Sequence, residues 1–444
     1  MIKITALGGY SKIGKNMTAI DIDGEIVITD MGADMERLVD FQEDSKTITA
    51  KDSSKLIESG IIPDDREFFE KEGKKVKAIV IGHGHLDHIW AVPFLAAKYK
   101  CPVITTLFTS KILTHLMTDY NSFNLKIVRL IEGNLFKISD KISIELVHIT
   151  HSIPNSTLIV IHTPYGAVIY ANDWKFDNYP TLGKKPNYER LEEISKKGIA
   201  AVISDSTRID YDGYSFSESV AKIMLEDVIR KSLKHKTIFV TTFSSHIARI
   251  RNIIEVANRF NRQVMIFGRS MDLYIESAIS ANIVDKKMFP KVYKAFPLVN
   301  RALRVVNENP GKYLIICTGH QGEPNSFLRR LSAEEYNYKV SSEDAIIFSS
   351  ETIPTPVNIA NKNILKKGLL EKGAYIVENV HVSGHAYKND HRNFIKMLMP
   401  KHYIPSHGGI DKISVGISLS REFGYELGKT SHILLDNQEL ELNV

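Results

Sequence analysis

The sequence is poor in several features that would settle its class at once. Only two cysteines, Cys101 and Cys317, occur in 444 residues, too few and too far apart for a disulfide framework or a cysteine zinc knuckle. No apolar run approaches the ~20 residues that span a bilayer; the longest, such as residues 76–82, suit buried strands. The opening residues lack the charged-then-apolar pattern of an export signal, and no internal repeat, low-complexity tract or Pro/Gly/Ser-rich linker stands out. With so little cysteine and no export signal, a reducing cytoplasm is the expected compartment. Charge of one sign is scarce too: 57 Lys and Arg face 52 Asp and Glu, an excess that only mildly favours a polyanionic partner. What remains, 43% hydrophobic with 25% charged residues, excludes wholesale disorder and leaves an ordinary folded chain of two or three domains.

Two patterns divide that chain. Up to about residue 205, β-branched runs alternate with turn signals, giving strands at 3–7, 17–22, 25–30, 76–82, 102–106, 142–149, 157–161, 167–171 and 200–205. Helices are expected at 89–98 and 110–119. After about Ser217, helices (217–233 and 247–259) alternate with short apolar strands at 237–242, 264–267, 313–318 and 345–348, the signature of a parallel βα domain. From about Val357 the earlier pattern resumes, with strands at 374–377 and 403–405 and a closing hairpin of 432–435 with 439–442 around Asp436-Asn437. The reading is therefore residues 1–208 and 357–444 as one domain, with 209–356 inserted into it.

The chemistry concentrates in Gly82-His83-Gly84-His85-Leu86-Asp87-His88. A buried strand ends and four possible metal ligands follow within six residues. In an extended turn, His83 and His85 can face one ion, while Asp87 and His88, entering a helix, can turn to a second beside it. Imidazole and carboxylate without thiolate suit zinc, with manganese admissible. A lone histidine would read as a loop or cap residue; this density after a buried strand reads as a metal site. Further candidates each sit just past an apolar strand, where a sheet gathers functional groups along one edge: Asp30, His151, Asp173 and His407. Singly, Asp30 and Asp173 would pass for turn residues.

Together these residues resemble the metallo-β-lactamase superfamily of dinuclear hydrolases, and the insertion narrows the resemblance to the β-CASP nucleases. Their acidic insertion motif is matched by Ser204-Asp205-Ser206-Thr207, their histidine motif by His381-Val382-Ser383-Gly384-His385, and their final histidine by His407. Residues 8–17, 150–154 and 318–324 make the chain most like the ribonuclease J family, in its short archaeal form. The resemblance implies an α/β fold: a metallo-β-lactamase αββα sandwich with an inserted β-CASP domain on a parallel sheet. It implies two Zn²⁺ per subunit, with Mn²⁺ or Mg²⁺ possible. His83, His85 and His151 would hold one ion, Asp87, His88 and His407 the other, and Asp173 would bridge them. Asp30 would orient a ligand from behind. Asp87, His385 and Asp205 would form the catalytic set, His385 acting on the leaving oxygen and Asp205 holding a metal-binding histidine in its tautomer.

Histidine at the last motif points to RNA. The implied activity is hydrolysis of single-stranded RNA, mainly 5′→3′ from a 5′-monophosphate, in RNA decay and maturation. A homodimer and other RNA-decay proteins are the expected partners, with no membrane. A phosphate or RNA site is expected from Ser244, Ser245, Ser349, Ser350, Ser383, Gly384 and His385, helped by a helix N-terminus, although Ser244 or Ser245 would equally serve as a helix cap. Arg249, Arg269, Arg329 and Arg330 could line an RNA channel, although basic residues of this kind are mostly solvated surface. Other readings remain open at this level: an endoribonuclease of the mRNA 3′-end processing type, an inactive β-CASP scaffold, or a small-molecule hydrolase on the same core, since fold alone does not separate these.

Overall fold

The computed structural model describes residues 1–44, 48–123, 125–353 and 355–443. Its first six strands form one sheet in sequence order: β1 (Ile2–Gly8), β2 (Met17–Ile22), β3 (Glu25–Thr29), β4 (Val76–Val80), β5 (Val103–Thr105) and β6 (Ile127–Arg129). The pairing is antiparallel through β3 and parallel from β3 to β6. The next five make a second sheet: β7 (Leu135–Lys137), β8 (Ser143–His148), β9 (Thr157–Thr163), β10 (Gly166–Ala171) and β11 (Ile199–Asp205). Strands this rich in isoleucine and valine bury both faces. Ile4, Ile20, Val27 and Val80 meet Ile144, Leu146, Ile159, Val168 and Ile203 between the two sheets. Helices cover the outer faces, among them Leu107–Asp119 on the first sheet and Tyr188–Lys196 and Lys388–Leu398 on the second. The result is the expected αββα sandwich.

The third sheet is wholly parallel. Its strands are β12 (Thr237–Thr241), β13 (Gln263–Phe267), β14 (Val292–Tyr293), β15 (Tyr313–Cys317), β16 (Asp344–Phe348) and β17 (Tyr375–Val377), in the order β14-β13-β15-β12-β16-β17. Each strand from β12 to β16 is followed by a helix or turn that crosses back, as parallel pairing demands. The helix Glu218–Ser232 enters this unit through the Ser217 cap, whose hydroxyl accepts from Ser219 N–H. Then β18 (His402–Ser406) returns to pair parallel with β11, and β19 (Glu439–Leu442) pairs antiparallel with β1.

Three expectations change. The inserted unit does not end at residue 356, because the helix Pro356–Glu371 and β17 continue its sheet. The helix expected over 89–98 is two single turns, Leu86–Ile89 and Val92–Leu95, followed by a 3₁₀ turn, Ala96–Tyr99; Pro93 is the second residue of the second turn, where its missing N–H costs nothing. The closing hairpin is absent. Asp436-Asn437 does turn, but His432 N–H donates to Tyr403 C=O at 3.0 Å, and β19 finds its partner at the other end of the chain. Turn chemistry is local and was readable; the choice of strand partner is set by exposed sheet edges and was not.

Candidate metal centre

The groups converge at the ends of strands from both sheets of the sandwich. Asp30 follows β3, His83 to His88 follow β4, His151 follows β8, Asp173 follows β10, and His407 follows β18. Three of these turn in the left-handed region: Asp30 at φ 58°, Asp173 at φ 55° and His407 at φ 55°. Such conformations cost non-glycine residues of order 1 kcal/mol each, and here they swing each side chain inward from its strand end. Backbone bonds tie down the His-rich turn: Met31 N–H donates to His88 C=O at 2.7 Å and Ala33 N–H to Leu86 C=O at 3.2 Å. Gly32 lies so close beneath that a Cβ there would sit 1.5 Å from the Asp87 carbonyl oxygen, which is why only glycine fits.

Two overlapping sets of ligand atoms result. His83, His85, His151 and Asp173 offer atoms all within 4.8 Å of one another, as do Asp87, His88, Asp173 and His407. Asp173 belongs to both. Its Oδ2 is 3.3 Å from His83 Nε2, 3.2 Å from His151 Nε2 and 3.3 Å from His88 Nε2, while Oδ1 is 3.2 Å from His407 Nε2. These atoms face one another without being satisfied: His83 Nε2 and Asp173 Oδ1 are buried and lack a hydrogen-bond partner. Buried polar atoms are normally paired, and donors crowded around a shared gap fit a divalent cation. Charge agrees. Burial opposes ionisation of Asp173 and Asp87, yet His88 and other neighbouring imidazoles hold both carboxyls below the usual range. Burial also pushes His83 well down and His151 to about 4, leaving neutral imidazoles ready to ligate.

A ring of partners orients these ligands from behind. Asp30 Oδ2 lies 2.6 Å from His88 Nδ1, and its Oδ1 accepts from Gly82 N–H at 3.2 Å. His151 Nδ1 is 2.8 Å from the Gly384 carbonyl, and His407 Nδ1 is 2.8 Å from Asn16 Oδ1. Buried Asn16 also contacts His88 Nε2 at 3.2 Å and the Asp87 carbonyl at 3.1 Å. Sequence reading placed it in the 8–17 segment that resembles the family but assigned it no role. His385 Nδ1 is 2.8 Å from Asp205 Oδ2 and 3.9 Å from Asp173 Oδ1. Against burial, these two carboxylates raise His385 to about 9. Asp205 itself is fully buried, and Thr207 donates to it from both N–H and hydroxyl. The histidine Asp205 orients is thus His385 and not one of the ligand candidates.

The members of the expected phosphate set take different surroundings. Ser245 Oγ is 3.1 Å from His85 Nε2, so it backs a ligand candidate from the inserted unit. Ser349 is fully buried; its hydroxyl donates to Val380 C=O and accepts from Arg249, so it is structural. Ser350 is buried with an unpartnered hydroxyl, and Ser244 Oγ meets Ser270 Oγ at 2.7 Å. Ser383 Oγ accepts from His385 N–H, and Gly384 packs with no room for a Cβ between Ser152 and His151. Arg249 is likewise no channel residue. It is wholly buried and grips Glu218 through Nε and Nη2 at 2.6 and 2.8 Å.

Comparisons with known proteins agree with this geometry. Residues 16–188 match the metallo-beta-lactamase superfamily, 235–366 the ribonuclease J beta-CASP domain, and 374–425 the Zn-dependent metallo-hydrolase RNA specificity domain. Ribonuclease J of Methanocaldococcus jannaschii is 40% identical over 441 residues, covering 98% of each chain. That of Pyrococcus abyssi is 39% identical over 447 residues, covering 100% of this chain and 97% of its own. A crystal structure of a protein of unknown function from Enterococcus faecalis superposes over 99% of both chains with TM-score 0.66 at 17% identity, a likeness of fold. Among the described residues no helix is long and apolar enough to cross a membrane. The chain belongs to the ribonuclease J family of metallo-β-lactamase-fold, RNA-binding metallo-hydrolases.

Proposed function

We propose that this ribonuclease degrades single-stranded RNA mainly 5′→3′, favours a 5′-monophosphate, and works with a dinuclear zinc centre. The observation that carries the dinuclear reading is Asp173, which belongs to both ligand sets: its Oδ2 lies against His83 and His151 of one and His88 of the other, and its Oδ1 against His407. His83, His85 and His151 would hold one ion, Asp87, His88 and His407 the other, with Asp173 between. Divalent ions bound there supply Lewis acidity toward a phosphoryl oxygen and lower the pKa of a nearby water. The protein's own part is to fix the donors: Asp30, Asn16, Ser245 and the Gly384 carbonyl each restrain one imidazole ring. Asp205 restrains His385 through Nδ1, leaving its other ring nitrogen to give a proton to the departing ribose oxygen. The same reading proposes a cytoplasmic homodimer acting with other RNA-decay proteins.

The test uses 3′-labelled RNA carrying a 5′-monophosphate, triphosphate or hydroxyl, with elemental analysis of the purified protein. Two zinc ions per chain and a ladder shortening from the 5′ end, fastest with monophosphate, are expected. Discrete internal products indifferent to the 5′ group would replace this reading with an endonuclease, and one ion per chain would remove the dinuclear centre.

A further inference from the structure

A second cavity, of about 1100 Å³, lies beyond Ser245 at the C-terminal ends of β13 and β15, with His115 and Asp119 of the sandwich on its far wall. Four aromatic rings run in a ladder beside it. Phe267 stacks on Phe327 at 4.9 Å, Phe327 on Tyr336 at 5.2 Å, and Tyr336 on Phe296 at 5.2 Å, with interplanar angles of 19°, 26° and 28°. The inner rings are buried, whereas Phe296 ends the ladder 40% exposed, with the Arg330 guanidinium 5.0 Å from its ring. An exposed ring backed by three stacked ones is a rigid, preorganised platform for another flat π-face.

The inner wall offers an anion site. Arg269 opens the helix Arg269–Ser280, whose N-cap Gly268 supplies no side-chain cap. A cation is unfavourable at a helix N-terminus unless an anion joins it. Arg330 and Lys294 are paired with Glu335 and Asp272, but Arg269 has no carboxylate partner among the described residues. His320 lines the same cavity at 7% exposure with Nε2 unpartnered. Asp119, Asp272, Glu276 and Glu323 also line it, Asp272 being paired with Lys294, so attraction for an anion is local to Arg269. From there the Ser270 hydroxyl meets that of Ser244, and the next residue along the chain, Ser245, meets His85.

We propose that this cavity is a trough for the body of a single-stranded RNA outside the scissile bond, with a phosphate at Arg269 and a base stacked on Phe296. The assignment rests on the RNA hydrolysis proposed above. It explains why the rings lie in line and why the helix start carries an arginine, and it makes the grip tolerant of sequence.

Binding of fluorescent oligoribonucleotides to the EDTA-treated protein, followed by anisotropy, tests this alongside KM for the metal-loaded enzyme. Phe296→Ala should weaken binding of an RNA of about fifteen nucleotides roughly tenfold and leave a dinucleotide unaffected, with Phe296→Tyr restoring it. Replacing the bases by abasic sites should abolish the Phe296 effect. Arg269→Ala should lower the slope of log affinity against log salt by about 0.7. Long RNA bound and cleaved normally by both variants would overturn the trough while leaving the ribonuclease intact; so would equal losses on short and long substrates, which would mark a distorted metal site. A wild-type protein that cleaves no RNA would instead sink the hydrolysis on which the trough rests.

Discussion

The hydroxyl of Ser245 lies 3.1 Å from Nε2 of His85, across the junction between the inserted unit and the sandwich. A ligand candidate of one unit is thus restrained by a side chain of the other. Outer partners of this kind typically change metal affinity 10–100-fold. Ser245→Ala should lower zinc affinity about tenfold in a competitive chelator titration, with little change in the Tm of the metal-free protein. Unchanged affinity would mean that the two units meet at His85 without consequence.

Asp205 and His385 form the next pair to test. His385→Gln should reduce kcat by 10²–10⁴-fold at unchanged metal content, and Asp205→Asn should fall in the same direction by freeing the ring. RNA with a bridging sulfur at the leaving position needs no protonation there, so it should be cleaved nearly as fast by His385→Gln as by the parent. A sulfur substrate slowed as much as ordinary RNA would assign His385 to geometry and not to the leaving oxygen.

Arg249 separates a structural from a nucleic-acid role. Its guanidinium is held by Glu218, by Ser349 and by the Val380 carbonyl, all within the protein. Removing one partner of a buried ion pair leaves the other uncompensated, a loss of about 3–5 kcal/mol. Arg249→Ala should therefore lower the denaturant midpoint strongly while leaving the salt dependence of RNA binding as it was. A changed salt slope with normal stability would restore Arg249 to the channel.

Acid stability should trace in part to Glu145 on β8. Arg190 donates to both its oxygens, at 2.6 and 2.9 Å, and His162 Nε2 lies 2.8 Å from Oε2. Burial would raise this carboxyl, but these partners bring it down to about 2. A depressed folded-state pKa means the contribution is complete above about pH 4.5 and is lost as pH falls from there toward 2. Glu145→Gln should cost about 2 kcal/mol at pH 7, with Arg190 partly exposed, and the gap to the parent should close in denaturant melts below pH 3. A gap independent of pH would trace the effect to packing.

What could be read beforehand follows physical range. His83, His85, Asp87 and His88 stand together in sequence after a hydrophobic strand, so their crowding was visible. Asp30, His151, Asp173 and His407 were legible as strand-end residues, although their meeting around Asp173 depends on both sheets. Asn16 and Ser245 were illegible in these roles because a single polar side chain acquires its partner only when distant segments pack. The same reason reversed Ser349 and Arg249: basic and hydroxylic residues look solvent-seeking until Glu218 and the Val380 carbonyl are found beside them. The helices between β3 and β4 also went unread, since their few buried positions, such as Leu56, Ile57 and Phe68, give weak periodicity.

The left-handed turn at His407 has a consequence for synthesis. Translation runs from one end, and domains generally fold as their segments emerge. A growing chain carries His83, His85, His151 and Asp173 more than two hundred residues before β18 arrives to complete the second set. If the two sets hold metal as proposed, the centre would stay unfinished until β18 is made, while the RNA nearest to it is the message that encodes it.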